Sequence, residues 1–248
     1  MIDIETFRAF ALSLFILASS QLLQAQKTYT LHWNTDLALG ALGLGTSATG
    51  WAFGKKVKPL QPAELALLNR NDVFVLDRKA TYLLSDKADR ASNVVFYAAT
   101  LVPALLLADS KIRKESGVIS VLYLETLTLN GGLTEMTKNL AKRPRPYTYN
   151  PDFPLKLKQR RDARKSFFSG HTSSTAASCF FAAKVWSDFH PGNKWKPAVW
   201  AAAASIPAVT GYFRIRAGRH FFTDVATGYA VGATVGWLVP YLHHAPHN

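Results

Sequence analysis

Long apolar runs in which polar residues never alternate at every second position constrain this fold more than any other feature of the chain. After the N-terminus they cover residues 37–53, 91–108, 117–136, 172–186, 198–212 and 225–242. Runs of that length suit helices, because strands average only about 5–6 residues and a half-buried strand shows a period of two. The expected fold class is therefore all-α, a helical bundle without internal repeats. Several runs only just reach the ~20 residues needed to cross a hydrocarbon core of ~30 Å. Five to six membrane-embedded helices are expected; a soluble helical bundle is the alternative, since mean hydropathy is close to zero. The run at 37–53 contains Gly40, Gly43, Gly45 and Gly50, which weaken an isolated helix but let packed helices approach closely.

The flanking segments divide the chain further. Residues 7–23 form an apolar run with Arg8 near its start, followed by Gln24-Ala25-Gln26-Lys27, and read as a secretory signal peptide or an uncleaved anchor. Lys58 to Arg90 mixes prolines, asparagines and charges with apolar pieces too short to span a bilayer, and is expected to hold short helices outside the membrane. The divisions are 1–26 (signal or anchor), 27–90 (N-terminal helical and extramembrane region), 91–242 (core) and 243–248 (tail).

A formal charge of +13, from 29 Lys and Arg against 16 Asp and Glu, admits nucleic acid, an anionic membrane surface or a phosphorylated ligand. The densest basic stretch, Lys138 to Lys165, lies between two apolar runs, which favours an anion site at a membrane surface over a nucleic-acid arm. No nucleic-acid partner and no obligate protein partner is expected. Two short loops carry Lys111, Arg113, Lys114 and Lys194, Lys196; the positive-inside rule puts both in the cytoplasm and the polar clusters described next on the opposite face. Cys179 is the sole cysteine, which rules out an intrachain disulfide and a thiolate metal cage; on an Ala-rich helix it reads as a small core residue.

Three polar clusters make chemical sense together. Lys138 and Arg145 are seven residues apart, so in a helical stretch they share a face, with Pro146 as a stop; taken alone, such residues are ordinarily solvated. Ser169-Gly170-His171 stands where a basic loop meets an apolar helix, offering a hydroxyl, a close backbone approach and the positive end of a helix dipole. Its plain reading is a Ser N-cap beside an exposed His. Arg214, His220 and Asp224 follow, with one helical turn between His220 and Asp224; the carboxylate is expected to accept a hydrogen bond from one ring nitrogen, leaving the other free as a nucleophile. His190, His243, His244 and His247 are expected to be solvated, and Trp186, Trp195, Trp200 and Trp237 to anchor segment ends at a membrane interface.

Lys138-x6-Arg145-Pro146, Ser169-Gly170-His171 and Arg214-x5-His220-x3-Asp224 resemble, in order and internal spacing, the three signature motifs of the type 2 phosphatidic acid phosphatase (PAP2) superfamily, over roughly residues 90 to 242. Two positions depart from the usual pattern: Phe168 replaces the Pro before Ser-Gly-His, and Phe213 replaces the Ser before the Arg. The resemblance implies a bundle of the PAP2/haloperoxidase type and a phosphatase without cofactor or metal. It also implies residue roles. His220 would attack phosphorus with Asp224 orienting it, and His171 would act as acid and then base. Lys138, Arg145, Ser169, Gly170 and Arg214 would bind the phosphate oxygens. The expected substrate is a phosphorylated lipid or isoprenoid diphosphate, and the expected place a bacterial inner membrane with the clusters facing the periplasm. Other readings are a vanadium-dependent haloperoxidase-like enzyme and a non-catalytic phospholipid-binding membrane protein.

Overall fold

Among the described residues each apolar run folds as a helix: α1 (Trp33–Lys56), α2 (Asp86–Leu101), α3 (Ser116–Ala141), α4 (Gly170–Phe189), α5 (Lys196–Arg216) and α6 (Phe222–Leu242). The computed structural model describes residues 27–245; the apolar run at 7–23 and His247 lie outside them. Among the described residues the only strand-type pairing is a single bridge between Tyr29 and His244, so the fold is all-α.

The helices extend beyond the apolar stretches, and α2 and α4 start on serine caps. Ser85 accepts the Ala88 N–H at 3.2 Å to start α2, with Asp86 and Asp89 at the positive end of its dipole. Pro103 ends regular α-helix, and the chain continues as a tighter helical stretch through Ala108. α3 stops at Ala141, where Lys142 takes the left-handed conformation (φ 46°), and Pro144 and Pro146 keep the helix from resuming. This corrects one expectation. Lys138 rides the last turn of α3, but Arg145 lies in extended backbone beyond it, so the two do not share a helical face.

α4 is the central helix, in contact with α2, α3, α5 and α6, while α1 lies along α3. The seam between α4 and α6 is very close: a Cβ added at Gly232 would lie 2.0 Å from the Ser173 carbonyl oxygen. The Lys58–Arg90 segment forms short helices at Pro62–Ala66 and Val75–Arg78, as expected. It covers one end of the bundle, where Leu60 packs with Tyr147, Phe153 and Ala163, and Val73 and Ala80 pack with Phe221.

By length and composition two helical stretches among the described residues suffice to cross a membrane, Asp86–Ala108 and Phe222–Leu242. Cys179 is buried as expected. Trp195 and Trp237 are exposed, whereas Trp186 packs against the main core and stacks on His190. His243, expected in solvent, is completely buried: Nδ1 donates to the Val239 carbonyl and Nε2 lies 2.8 Å from Asp36 Oδ1. The end of α6 tucks against the first turn of α1, and the Asp36 carboxylate compensates the burial of the ring. His190 is likewise held, 3.1 Å from Asp109.

Candidate active site

The three clusters meet at one end of the bundle, brought there by helix ends. α3 delivers Lys138 in its last turn, α4 delivers Ser169, Gly170 and His171 at its start, and α5 delivers Arg214 in its last turn. His220 sits in the short connection before α6, and Asp224 in the first turn of α6. A Cβ at Gly170 would lie 3.2 Å from Lys138 Nζ, so the glycine leaves room for the ammonium beside the α4 N-terminus. Ser169 caps α4: its Oγ accepts the Thr172 N–H at 3.4 Å, and its own N–H donates to the Asp224 carbonyl at 2.9 Å, tying α4 to α6.

His220 is buried, and its hydrogen bonds fix its tautomer. Nδ1 lies 2.8 Å from the Ser166 carbonyl oxygen, which can only accept, so Nδ1 carries a proton and the neutral ring has its lone pair on Nε2. Nε2 faces Arg145 Nη1 at 3.2 Å. Burial, and then Arg145, Arg214 and Lys138, push the imidazole well below its ordinary pKa, which keeps it neutral.

Asp224 does not accept the expected hydrogen bond from His220; its Oδ2 is 3.6 Å from Nδ1. His220 precedes the helix rather than lying on it, so the pair is not one helical turn apart in space, and the Ser166 carbonyl takes the ring proton instead. The carboxylate is saturated by other donors. Oδ2 accepts from Ser166 Oγ at 2.5 Å and the Phe221 N–H at 2.9 Å, and Oδ1 accepts from Arg143 Nη1 at 2.5 Å. Ser166 therefore bridges the pair, carbonyl to the histidine and hydroxyl to the aspartate.

The cations are held by carboxylates behind them. Arg145 donates to the Asp162 carboxylate at 2.8 Å, and Arg214 to Asp89 at 2.8 Å and Ser92 Oγ at 3.1 Å; Arg214 Nε is buried with no partner among the described residues. Burial and then Arg145 lower Lys138 to about 7, while burial, Arg214, Lys138 and Arg145 lower His171 to about 3. Three basic side chains gathered in a desolvated space, beside an imidazole that they and burial disfavour charging, make a site for an anion. His171 Nε2 lies 2.8 Å from Asn93 Oδ1.

Several of these residues escaped sequence reasoning. Arg143 bonds Asp224 and also the buried Asp77 at 2.8 Å, and Asp77 in turn accepts from the Thr223 N–H and hydroxyl. Nothing in the sequence distinguishes Asp77 from the charged residues around it. Asp89, Ser92 and Asn93, by contrast, form a polar patch on one face at the start of an apolar helix, a signal that was available.

Residues 119–247 match the sequence model of the PAP2 superfamily. Lipid A 4'-phosphatase of Porphyromonas gingivalis is 29% identical over 126 residues, covering 49% of this chain and 49% of that protein. The match thus spans about half the length of that curated relative. Among solved structures, the first transmembrane PAP2-type phosphatidylglycerolphosphate phosphatase from Bacillus subtilis is similar at 19% identity, over 82% of this chain and 96% of that one, with a TM-score of 0.48. The family match takes in more than half of the chain and all three polar clusters, so this protein belongs to the PAP2 superfamily.

Proposed function

We propose that the protein is a membrane phosphatase that hydrolyses a lipid phosphate or isoprenoid diphosphate through a phosphohistidine on His220. The observation that carries this reading is a buried imidazole, held neutral with its lone pair on Nε2, and surrounded by Arg145, Arg214 and Lys138. Nε2 attacks phosphorus while the bond from phosphorus to the leaving oxygen breaks, and His171 supplies that oxygen with a proton. The guanidinium and ammonium groups, the Ser169 hydroxyl and the Gly170 N–H hold the non-bridging oxygens and stabilise charge in the transition state. Water then attacks phosphorus, His171 takes its proton, the P–Nε2 bond breaks, and inorganic phosphate leaves with His220 neutral again. Asp224, fixed by Ser166 and Arg143, lies close enough at 3.6 Å to stabilise the ring when it becomes charged. The reading assigns no step to a metal ion.

The lipid side of the reading rests on the surface. The outer faces of the bundle expose Leu44, Trp51, Val94, Leu101, Leu105 and Leu124, large apolar side chains that a lipid surface would cover. The apolar lengths of Asp86–Ala108 and Phe222–Leu242, and the lipid named for the similar Porphyromonas gingivalis phosphatase, support the same placement. The loops bearing Lys111 and Lys194 both lie at the end away from the site, joined through Asp109 and His190, which supports a site on the periplasmic side.

The test uses the purified full chain in detergent. It should release inorganic phosphate from phosphatidic acid, phosphatidylglycerol phosphate, undecaprenyl diphosphate or lipid A in the presence of chelator, and yield an acid-labile phosphoenzyme. His220→Ala should abolish both. Binding of these lipids without phosphate release would replace the enzyme by a lipid-binding protein, and halide oxidation by peroxide on adding vanadate would replace it by a haloperoxidase.

A further inference from the structure

We propose that Asn93 is the positioning residue of the acid/base histidine: its side-chain oxygen holds Nε2–H of His171, so that Nδ1 is the nitrogen that gives and takes the proton. The inference rests on the phosphatase reading for its kinetic consequences, but not for the structural assignment. Nothing in the three sequence clusters pointed to Asn93, which lies on α2, before the residues matched by the family model.

The geometry is specific. Asn93 Oδ1 is 2.8 Å from Nε2, and the Phe96 ring, one turn further along α2, lies 4.7 Å from the imidazole. An amide oxygen only accepts, so Nε2 keeps its hydrogen whether the ring is neutral or charged. No described residue bonds Nδ1. That nitrogen is therefore the one whose protonation changes in a reaction cycle: Nδ1–H passes its proton to the leaving oxygen, and the Nδ1 lone pair later accepts one from water.

The choice of an amide rather than a carboxylate also has a chemical reason. The charged groups acting on His171 are Asp89 of α2, Lys138 of α3, Arg145 of the following loop, Arg214 of α5 and His220 before α6. Three cations there favour the neutral ring, and Asp89 alone opposes them. A phosphate dianion in their midst would neutralise the cations and let His171 gain its proton only when substrate is present. A carboxylate at residue 93 would hold the proton permanently and make His171 a poorer acid. Asn93 fixes direction without adding charge.

The experiment compares wild type with Asn93→Asp and Asn93→Leu, both with the same number and branching of side-chain heavy atoms, in the full chain labelled with 15N-histidine. In the wild type, NMR should show His171 with the hydrogen on Nε2 and titration at Nδ1. Asn93→Asp should raise the His171 pKa by at least about one unit, as an opposite charge in contact does, and should move the alkaline limb of kcat by a similar amount. Asn93→Leu should mix the tautomers and lower kcat roughly 100-fold with KM little changed, the usual cost of a misplaced catalytic group. Melting temperatures identify any variant that fails to fold, and the wild-type tautomer still tests the assignment in that case. A wild-type His171 with its hydrogen on Nδ1, or an unchanged His171 pKa in folded Asn93→Asp, overturns the proposal. Absence of turnover in a wild type with the expected tautomer would sink the phosphatase reading and leave the assignment of Nδ1 standing.

Discussion

Replacing Gly232 with alanine tests whether the α4/α6 seam sets the geometry of the site. The new Cβ would lie 2.0 Å from the Ser173 carbonyl oxygen, 2.7 Å from its carbon and 2.9 Å from Ser173 Cα. An ordinary carbon–oxygen contact is ~3.3 Å, so the helices must separate locally by roughly 1.3 Å. The obstacle is backbone inside a helix and has no rotamer to escape into. Overpacking of this kind costs about 1–3 kcal/mol, offset by the ~1 kcal/mol by which alanine favours helix over glycine, so the net loss of stability is about 0–2 kcal/mol. Activity should suffer more. One turn towards the site, the same seam carries the Ser169 N–H to Asp224 hydrogen bond at 2.9 Å, which registers His171 against His220. A shift near 1 Å between them should lower kcat/KM roughly 100-fold. Phosphate release and thermal unfolding, measured on the same preparation, read both effects. Gly228→Ala, 2.5 Å from the Ser169 oxygen, should be at least as damaging to activity; Gly236→Ala, 2.2 Å from the Ala177 oxygen but farther from the site, should cost stability with less effect on turnover. Gly131→Ala meets nothing within 4 Å and should leave both unharmed. Full activity in Gly232→Ala would refute the idea that this seam positions the groups proposed for catalysis.

The remaining predictions concern charge. Arg143→Gln strands the buried carboxylates of Asp77 and Asp224 and should destabilise the fold by about 3–5 kcal/mol in denaturant titrations. Arg143→Lys should recover little, because a lysine cannot bond both acids in the same geometry. His171 has a folded pKa of about 3 against an ordinary 6.5, so the unfolded chain binds the extra proton between those values. Stability should therefore fall as pH drops through that window, with a shallower fall in His171→Asn, read by melting temperature without ligand. Lys138, at about 7 against 10.5, makes stability rise with pH between those values, and Lys138→Met should remove that slope. Inorganic phosphate should bind with uptake of protons, measured calorimetrically in buffers of different ionisation enthalpy; binding with no proton uptake at pH 8 would show that Lys138 is already charged in the empty site.

Local chemistry made much of this protein legible from its sequence. Apolar runs of helical length gave the six helices, because a helix satisfies its own backbone and needs only one continuous stretch to bury. Ser169 before an apolar run marked the start of α4, since capping depends on neighbours in sequence. The residue types of the three clusters were visible for the same reason. Where Arg145 lies, and what Asp224 touches, were not. Lys142 turns the chain out of α3, which places Arg145 by loop path rather than by helical spacing, and Asp224 meets Ser166 and Arg143 before it meets His220. Asp77, Asp89 and Asn93 reach the site across 66 to 146 positions of chain, and His243 is buried through Asp36 at a separation of 207. Sequence determined which groups were present and which helix ends would bear them. Tertiary structure decided which hydrogen bonds they make, because a buried polar group takes whichever donor or acceptor packing brings to it, and no local spacing encodes that choice.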